Sequence, residues 1–389
     1  PEVLILDEPT SNLDPRATAA IFEVIEDIRA GAGITVIVIE HKLAYLAPFD
    51  PRVIIMDKGR VINDGYGLSL APQQVTRPRA TQPTEGVTDT SSAFKHPVVS
   101  VENLTVEFDA PESAGIVHRH NEGTPGPNAP RLALDDVSFT LGRGEFAVLM
   151  GDNGSGKSTL LSSLLGLQKP TQGRVTVLGM DTATTPVSAM AHQVGFVFQN
   201  PDHQLFANTV WEEAVIGPRN LGRMAPPVAD RVHGLLVHAG LEDRYQDHPY
   251  RLSYGEKRRL NLISVLALRP TVLLLDEVLI GQDAQNIEFL LGLLQDAVDE
   301  GTTVVMVNHH PEIVERVATR LLFLEEGTLI VDAPVAEAMR SLKDLRYSAY
   351  LPTPHPNPAH GDTFELDCAA HRPRTRATVA PHPRRSAET

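Results

Sequence analysis

Short runs of consecutive apolar residues recur along the chain, and each is followed by a polar or glycine-rich turn. Clear examples are residues 3–6, 146–150, 272–275 and 304–307. Uninterrupted apolar runs of this length are typical of parallel strands that are buried on both faces. Residues 160–165, which follow the second run, instead have the spacing of an apolar stripe on a helix. The pattern predicts an α/β protein with a mainly parallel sheet.

The beginning of the chain is similar to a later stretch of the same chain. Residues 1–8 read Pro-Glu-Val-Leu-Ile-Leu-Asp-Glu, and residues 270–277 read Pro-Thr-Val-Leu-Leu-Leu-Asp-Glu. After a one-residue slip the match resumes, so that His41 corresponds to His309. Such self-similarity indicates an internal duplication. We expect residues 1–70 to be the C-terminal half of a truncated first domain that lacks about 150–170 preceding residues.

Composition divides the rest of the chain. Residues 71–97 are rich in Pro, Thr, Gln and Ser, which favours an interdomain linker. Residues 98–347 would form a complete second domain, interrupted by a loop insertion at 109–130. Residues 348–389 carry many Pro, His, Arg and Thr, and we expect a disordered tail there.

A glycine-rich stretch at 151–159, Gly-Asp-Asn-Gly-Ser-Gly-Lys-Ser-Thr, lies between a predicted strand and a predicted helix. It satisfies the phosphate-binding (P-loop) pattern G-x-x-x-x-G-K-[ST] in the context that supports it. The glycines let backbone N–H groups converge on a phosphate, and the helix N-terminus adds partial positive charge. Lys157 can reach the β- and γ-phosphates, and the Ser158 hydroxyl can bind Mg²⁺. The alternative, a chance Lys-Ser pair after a glycine turn, leaves the flanking strand and helix unexplained.

Three further predicted strands end in residues suited to phosphate chemistry. Asp276 and Glu277 end one strand, where the first would hold Mg²⁺ and the second would orient or deprotonate water. His309 ends another and could contact a γ-phosphate or the attacking water, and Gln199 ends a third and could bridge metal and water. The alternatives are a solvated turn for the carboxylates and a plain surface or capping residue for the histidine.

Residues 252–256, Leu-Ser-Tyr-Gly-Glu, precede a predicted helix with Ser253 near its N-cap. One interpretation is a simple capping box. The other is a second helix N-terminus that meets a phosphate bound to another domain.

The overall composition excludes several classes of protein. The 389 residues carry a formal net charge of −15, which argues against a broad nucleic-acid surface. The single cysteine, Cys368, excludes an internal disulfide and suits a reducing compartment. No apolar run is long enough to span a membrane, so we expect a soluble, cytoplasmic protein.

Taken in this order, the P-loop, the strand-end Gln, Leu-Ser-x-Gly-Glu, the strand-end Asp-Glu and the strand-end His resemble the ATP-binding cassette (ABC) ATPase domain. The resemblance covers residues 98–347, with residues 1–70 as a partial second copy. It implies a P-loop fold with a mainly parallel sheet, an antiparallel β subdomain and a helical signature subdomain, with ATP and Mg²⁺ as cofactors.

The family's site residues can be carried over position by position. Nucleotide ligands would come from Gly151, Asp152, Asn153, Gly154, Ser155, Gly156, Lys157, Ser158 and Thr159. The adenine-stacking aromatic would be Phe108, and the signature contacts would be Ser253, Gly255 and Glu256. The Mg²⁺ ligands would be Ser158, Gln199 and Asp276, and the catalytic residues would be Glu277, His309 and Gln199, with Glu8 and His41 in the first copy. The loop after the Walker B strand, called the D-loop, would contain Asp14 and Asp283.

Within that family, residues 198–206 and 252–259 look like energy-coupling factor (ECF) importers, whose ATPases drive uptake of vitamins and of cobalt or nickel. The resemblance implies separate transmembrane subunits, a second ABC domain packed head-to-tail, and peripheral association with the cytoplasmic face of the membrane. The sequence departs from the family pattern in two places. Tyr254 stands where the family usually has glycine, and residues 278–282 differ from the usual sequence Pro-Thr-Ser-Asn-Leu, which residues 9–13 retain. The two ATP sites could therefore differ in their rates of hydrolysis.

Two other functions compete with this interpretation. One is a soluble ABC ATPase that acts on ribosomes or DNA, which the acidic charge disfavours. The other is a nucleotide-binding regulator without turnover, which the presence of Glu277 and His309 disfavours. Because neither ATP site is complete in one copy, we expect this chain alone to bind ATP and hydrolyse it slowly.

Overall fold

A computed structural model describes residues 2–10, 13–40, 45–46, 49–57, 59–66, 97–108 and 131–352. His41, residues 71–96, the predicted insertion at 109–130 and residues 353–389 lie outside the described residues. The described part of the first copy forms these elements: β1 (Val3–Asp7), α1 (Pro15–Ala32), β2 (Thr35–Ile39), β3 (Arg52–Asp57) and β4 (Arg60–Tyr66). The second copy begins with β5 (Val99–Phe108), β6 (Arg131–Leu141), β7 (Phe146–Met150), α2 (Lys157–Leu165), β8 (Gln172–Val177), β9 (Met180–Asp181), α3 (Val187–Met190) and β10 (Val194–Val197).

The chain continues with six α-helices and four strands in the part that the structure describes. They are α4 (Val210–Asn220), α5 (Pro226–His238), α6 (Tyr254–Leu266), β11 (Val272–Leu275), α7 (Ala284–Asp299), β12 (Thr303–Val307), α8 (Pro311–Val317), β13 (Arg320–Glu325), β14 (Thr328–Pro334) and α9 (Val335–Asp344). The predicted strands at 146–150, 272–275 and 304–307 are therefore confirmed.

The central sheet of the second copy has six strands in the order β10-β11-β12-β7-β13-β14. All neighbours are parallel except β13 and β14, which form an antiparallel hairpin. Every residue of β7, β11 and β12 is buried, as their uninterrupted apolar sequences require. Because β7, β10, β11 and β12 run in the same direction, the polar residues that follow them meet at one edge of the sheet.

Two further layers cover this sheet. A four-stranded antiparallel sheet, ordered β6-β5-β8-β9, shares one apolar core with α2 and one face of the central sheet. The opposite face packs against a second core, to which α4, α6 and α7 contribute. Helices α4, α5 and α6 contact one another and form a helical subdomain.

The first copy repeats local structures of the second. Strands β1 and β2 pair in parallel, as β11 and β12 do, and the hairpins β3–β4 and β13–β14 have a register irregularity at corresponding positions. Arg52 pairs bidentately with Asp64 across the first hairpin, and Arg320 pairs in the same way with Asp332 across the second. The two hairpins therefore share the same cross-strand ion pair.

The β1–β2 pair differs from its counterpart in burial. Ile5 is 65% exposed and Ile37 is 48% exposed. In the counterpart pair, every residue of β11 and β12 is buried.

The C-terminal boundary differs from the predicted one at residue 347. Residues Ser348–Tyr350 form a turn of 3-10 helix, and Tyr350 is fully buried against Phe323, with the ring centroids 4.9 Å apart. The described structure continues to Pro352, because these aromatic contacts fix a segment whose composition alone favours disorder. Among the helices in the described ranges, none combines the length and apolar content that crossing a bilayer requires.

Candidate nucleotide-binding and hydrolysis site

The P-loop connects β7 to α2, and its glycines have backbone conformations that other residues avoid. Gly151 has φ 140°, and Gly156 has φ 102°. A Cβ atom on Gly151 would overlap the carbonyl oxygen of Leu324, and one on Gly156 would lie 2.5 Å from the carbonyl oxygen of Ala133. The loop therefore needs glycine both for its conformation and for close contact with neighbouring backbone.

Lys157 begins α2 and points back into the loop. Its ammonium group donates to the carbonyl oxygens of Gly151 and Asp152, at 3.0 Å and 2.7 Å. Burial lowers the pKa of Lys157, although the carboxylates of Glu277 and Asp14 oppose this shift. A phosphate bound in the loop would add to these negative charges and favour the protonated form of Lys157.

The P-loop forms one wall of a cleft of about 390 Å³. The cleft is lined by Phe108, Arg131, Ala133, Asn153, Gly154, Gly156, Lys157, Ser158, Thr159, Gln199 and Glu277. Phe108 ends β5 and is 41% exposed, so its ring is available for stacking. The structure thus brings Phe108 to the same cleft as the P-loop. Arg131, which the sequence argument missed, is its cross-strand partner.

Asp276 and Glu277 follow β11 at the same edge. The Ser158 hydroxyl lies 3.4 Å from Asp276 Oδ1. Burial, followed by the neighbouring Glu277 charge, raises the pKa of Asp276, while Ser158, Lys157 and His309 partly offset this rise. Glu277 has φ 48°, and Glu8, its counterpart after β1, has φ 43°. Both glutamates therefore lie in the left-handed region, which is uncommon for this residue type and is concentrated at functional sites.

Gln199 and His309 both contact the Glu277 carboxylate. Gln199 Nε2 donates to Oε2 at 2.8 Å, and His309 Nε2 lies 2.9 Å from Oε1. An ionised Glu277 carboxylate can only accept hydrogen bonds, so with Glu277 in that form His309 Nε2 is the donor. Gln199 and His309, which are far apart in sequence and were each identified from a strand end, therefore both contact Glu277.

The Leu-Ser-Tyr-Gly-Glu segment forms the capping box that the first interpretation predicts. Ser253 Oγ accepts from the Glu256 amide at 3.3 Å, and Glu256 accepts from the Ser253 amide at 2.7 Å. Ser253 is exposed and Gly255 is half-buried. The contact with a second domain's phosphate remains a proposal, and the capping box is compatible with it because the Ser253 hydroxyl can still donate.

Arg258, one turn into α6, connects this segment to Gln199. It is fully buried and donates to the carbonyl oxygen of Phe198 at 2.6 Å and to that of Gln199. Burial lowers the pKa of Arg258, and the Tyr254 hydroxyl opposes this effect from 3.4 Å. A buried arginine is rare unless it is paired, and here backbone carbonyls are its main partners. Sequence reasoning missed this residue.

Residues of the first copy also reach the P-loop. Asp14 caps α1 through the Ala17 amide and accepts from the Asn153 amide at 3.0 Å. Burial raises the pKa of Asp14, but these two amides and the positive charges nearby outweigh it and hold the pKa low. Leu13 lines a small cavity with Glu277 and His309. Glu8 and Asp7 lie at the end of β1, and His41 lies outside the described residues.

The residues present fit a magnesium ion that is bound together with phosphate. Ser158 offers a hydroxyl and Asp276 a carboxylate within reach of each other, and Mg²⁺ in phosphate sites takes only one or two protein ligands. Elsewhere in the described ranges, no group of three or more His, Cys, Asp and Glu side chains is placed to hold a metal ion.

Comparisons with known proteins show what the chain is similar to. The profile of the ABC transporter family matches residues 134–279. An ABC transporter ATP-binding protein from Methanosarcina acetivorans is 32% identical over 393 residues, which is 90% of this chain and 63% of that protein. One from Caldanaerobacter subterraneus subsp. tengcongensis is 30% identical over 367 residues, covering 87% of this chain and 64% of that protein. The chain thus spans less than two thirds of the length of these curated relatives.

Solved structures show the same fold. The chain is similar to cbiO1 from Clostridium perfringens, part of the ABC transporter complex cbiONQ, with 25% identity, a TM-score of 0.51 and coverage of 65% of this chain and 98% of that one. It is also similar to a dimeric, post-hydrolysis ATP-binding cassette bound to ADP and Pi, with 26% identity, a TM-score of 0.52 and coverage of 61% and 98%.

The fold and the matched residues define the class of protein. The chain has the P-loop ABC ATPase fold that its motifs predicted. More particularly, residues 134–279 match the profile of the ABC transporter family, and the chain is similar to ABC transporter ATP-binding proteins over most of its length.

Proposed function

We propose that this protein binds Mg²⁺-ATP at the P-loop, hydrolyses it, and uses the reaction to drive uptake through separate membrane subunits. The observation that carries the proposal is the contact of Gln199 and His309 with one carboxylate, Glu277, at the edge of the P-loop cleft. A strained glutamate held from both sides suits a base that must point at one water molecule.

Different residues of the site would have different roles in phosphoryl transfer. The P-loop amides and Lys157 would bind the β- and γ-phosphates, while Ser158 and Asp276 would hold Mg²⁺, which supplies charge neutralisation. Glu277 accepts a proton from water as the water oxygen bonds to the γ-phosphorus, and the bond from that phosphorus to the β–γ bridging oxygen breaks to release ADP. His309 and Gln199 keep the carboxylate in place during this step.

The site needs a second cassette to be complete. The signature residues Ser253 and Gly255 lie at the N-terminus of α6 and would face the γ-phosphate of the partner site in a head-to-tail pair. Asp14 of the first copy already contacts the Asn153 amide, which supports a tandem arrangement in which the copies face each other. The signature that the site at Lys157 requires would come from a second cassette.

We propose an ECF-type importer of vitamins or of cobalt or nickel. The support is the resemblance of residues 198–206 and 252–259 to that subfamily and the similarity to cbiO1 of the cbiONQ complex. The protein would then associate peripherally with the cytoplasmic face of the membrane. A soluble ABC ATPase acting on ribosomes or DNA is the competing function, and the net charge of −15 favours transport over it.

Uptake measurements in cells test this proposal. The chromosomal copy would be replaced by one that encodes Glu277→Gln, and the cells would be given labelled Co²⁺, Ni²⁺ and a panel of labelled vitamins. We expect uptake of one of these solutes to fall to the level of a deletion strain, while Glu288→Gln, which changes a glutamate paired with Arg316, leaves uptake unchanged. Normal uptake of every solute together with altered ribosome or DNA phenotypes would support the competing function.

A further inference from the structure

The P-loop contains a carboxylate, Asp152, beside the position where phosphate would bind. The loop's other features attract anions, so an uncompensated negative charge here would oppose nucleotide binding. Two groups from distant parts of the chain address this carboxylate. The Arg16 guanidinium lies 2.9 Å from Oδ2, and the buried Tyr350 hydroxyl donates to Oδ1.

Arg16 belongs to the first turn of α1, and three contacts hold that turn on the P-loop side of the second copy. Arg16 pairs with Asp152, its guanidinium lies 4.7 Å from the centroid of the Tyr347 ring, and Asp14 accepts from the Asn153 amide. When this turn packs on the P-loop, it brings the negative charge of Asp14 close to the phosphate site. It also brings the positive charge of Arg16, which pairs with Asp152.

We propose that Arg16 compensates Asp152 and thereby makes the ATP affinity of the P-loop depend on docking of the first turn of α1. The inference rests on the proposed ATP binding at this loop. By linkage, ATP binding would strengthen the docking by the same factor. Arg16 is a positioning residue that acts on the nucleotide through Asp152. Tyr350 acts on the same carboxylate from the C-terminal side.

The expected change in ATP affinity follows from the solvent exposure of the Arg16–Asp152 pair. The side chains of Arg16 and Asp152 are 47% and 32% exposed, so the pair behaves as a surface ion pair. Such pairs contribute up to about 1 kcal/mol, which corresponds to about a two- to fivefold change in affinity. Solvent-exposed pairs are screened by salt, so the change should disappear at high ionic strength.

A titration of the 389-residue chain with a fluorescent ATP analogue and Mg²⁺ tests the proposal. At low salt, we expect Arg16→Gln to weaken binding about two- to fivefold. Arg29→Gln is the matched control, since Arg29 lies on the same helix in an exposed pair with Glu26. We expect it to bind as the wild type does, and we expect the Arg16 effect to vanish in an Asp152→Asn background and in about 0.5 M salt.

The possible failures are distinct. Equal affinity for the Arg16→Gln and Arg29→Gln proteins would overturn the inference, as would an Arg16 effect that persists in the Asp152→Asn background. No ATP binding by the wild type would instead contradict the proposed function. Tyr350→Phe provides a second test, because it removes the other partner of Asp152 and should also weaken binding.

Discussion

Arg258 offers a sharp test of how the site is held together, because it joins the signature helix to Gln199 without touching the cleft. Its guanidinium donates to the backbone carbonyls of Phe198 and Gln199, and the Gln199 side chain then reaches Glu277. In Arg258→Gln, a shorter neutral amide lacks both the positive charge and the two separate nitrogens with which the guanidinium reaches these carbonyls.

The expected magnitudes follow from these contacts. Hydrogen bonds to a charged group contribute about 1.5–3 kcal/mol each, and part of the loss of two is offset because the guanidinium no longer has to be buried. We therefore expect a loss of about 2–4 kcal/mol in the free energy of unfolding. A shift of about 1 Å in Gln199 would slow phosphate release by about 10- to 100-fold.

The assay separates positioning from general damage. Single-turnover phosphate release and ATP affinity would be measured for Arg258→Gln and Gln199→Ala, alone and combined. Arg259→Gln is the control, since its guanidinium bonds the Ala239 carbonyl at 2.9 Å, away from Gln199. We expect slow release with nearly unchanged ATP affinity for the first two, and a double variant no slower than the slower single variant. Normal release by Arg258→Gln at wild-type ATP affinity would refute the reasoning, whatever its stability.

Two further predictions concern the loop and the buried carboxylate. Gly154→Ala, at φ 83° with open space around it, should cost about 1–2 kcal/mol in urea unfolding, whereas Gly151→Ala should cost at least twice that, since its Cβ would also overlap Leu324. Equal losses of unfolding free energy in the two variants would contradict this prediction, because they would show that the overlap with Leu324 is relieved by a small shift. In metal-free buffer, Asp276→Asn should stabilise the protein increasingly as pH rises above about 4, because the raised pKa of Asp276 means that the folded state resists its ionisation. A stability difference that does not change with pH would contradict that assignment.

Local sequence patterns were sufficient to predict the strands, the P-loop and the capped start of α6, because each of these depends on residues that are close in sequence. Convergence of Gln199, Glu277 and His309 followed from one general rule, that parallel strands present their carboxyl ends at the same edge. Tyr350 could not be predicted in this way. It lies in a segment of disorder-prone composition, and its burial depends on Phe323 and Asp152, which are distant in sequence.

Charged contacts between distant segments were also beyond sequence reasoning. Arg258 follows a polar stretch at the start of α6, and nothing in its neighbours distinguishes it from Arg259, yet only Arg258 is fully buried. Arg16 resembles any exposed residue in the first turn of a helix, and its role depends on where α1 meets the P-loop. In both cases the partner is set by tertiary packing.

Phosphate release by the Glu277→Gln protein tests the central claim most directly. The chain would be held in excess over labelled Mg²⁺-ATP, so that even slow hydrolysis is measured in a single turnover, and ATP affinity would be measured in parallel. General-base catalysis contributes about 10²–10⁴-fold, so Glu277→Gln should lower the release rate at least 100-fold while ATP affinity stays within about threefold of the wild type. Release at the wild-type rate would contradict the assignment of Glu277 as the base and the hydrolysis site built around it.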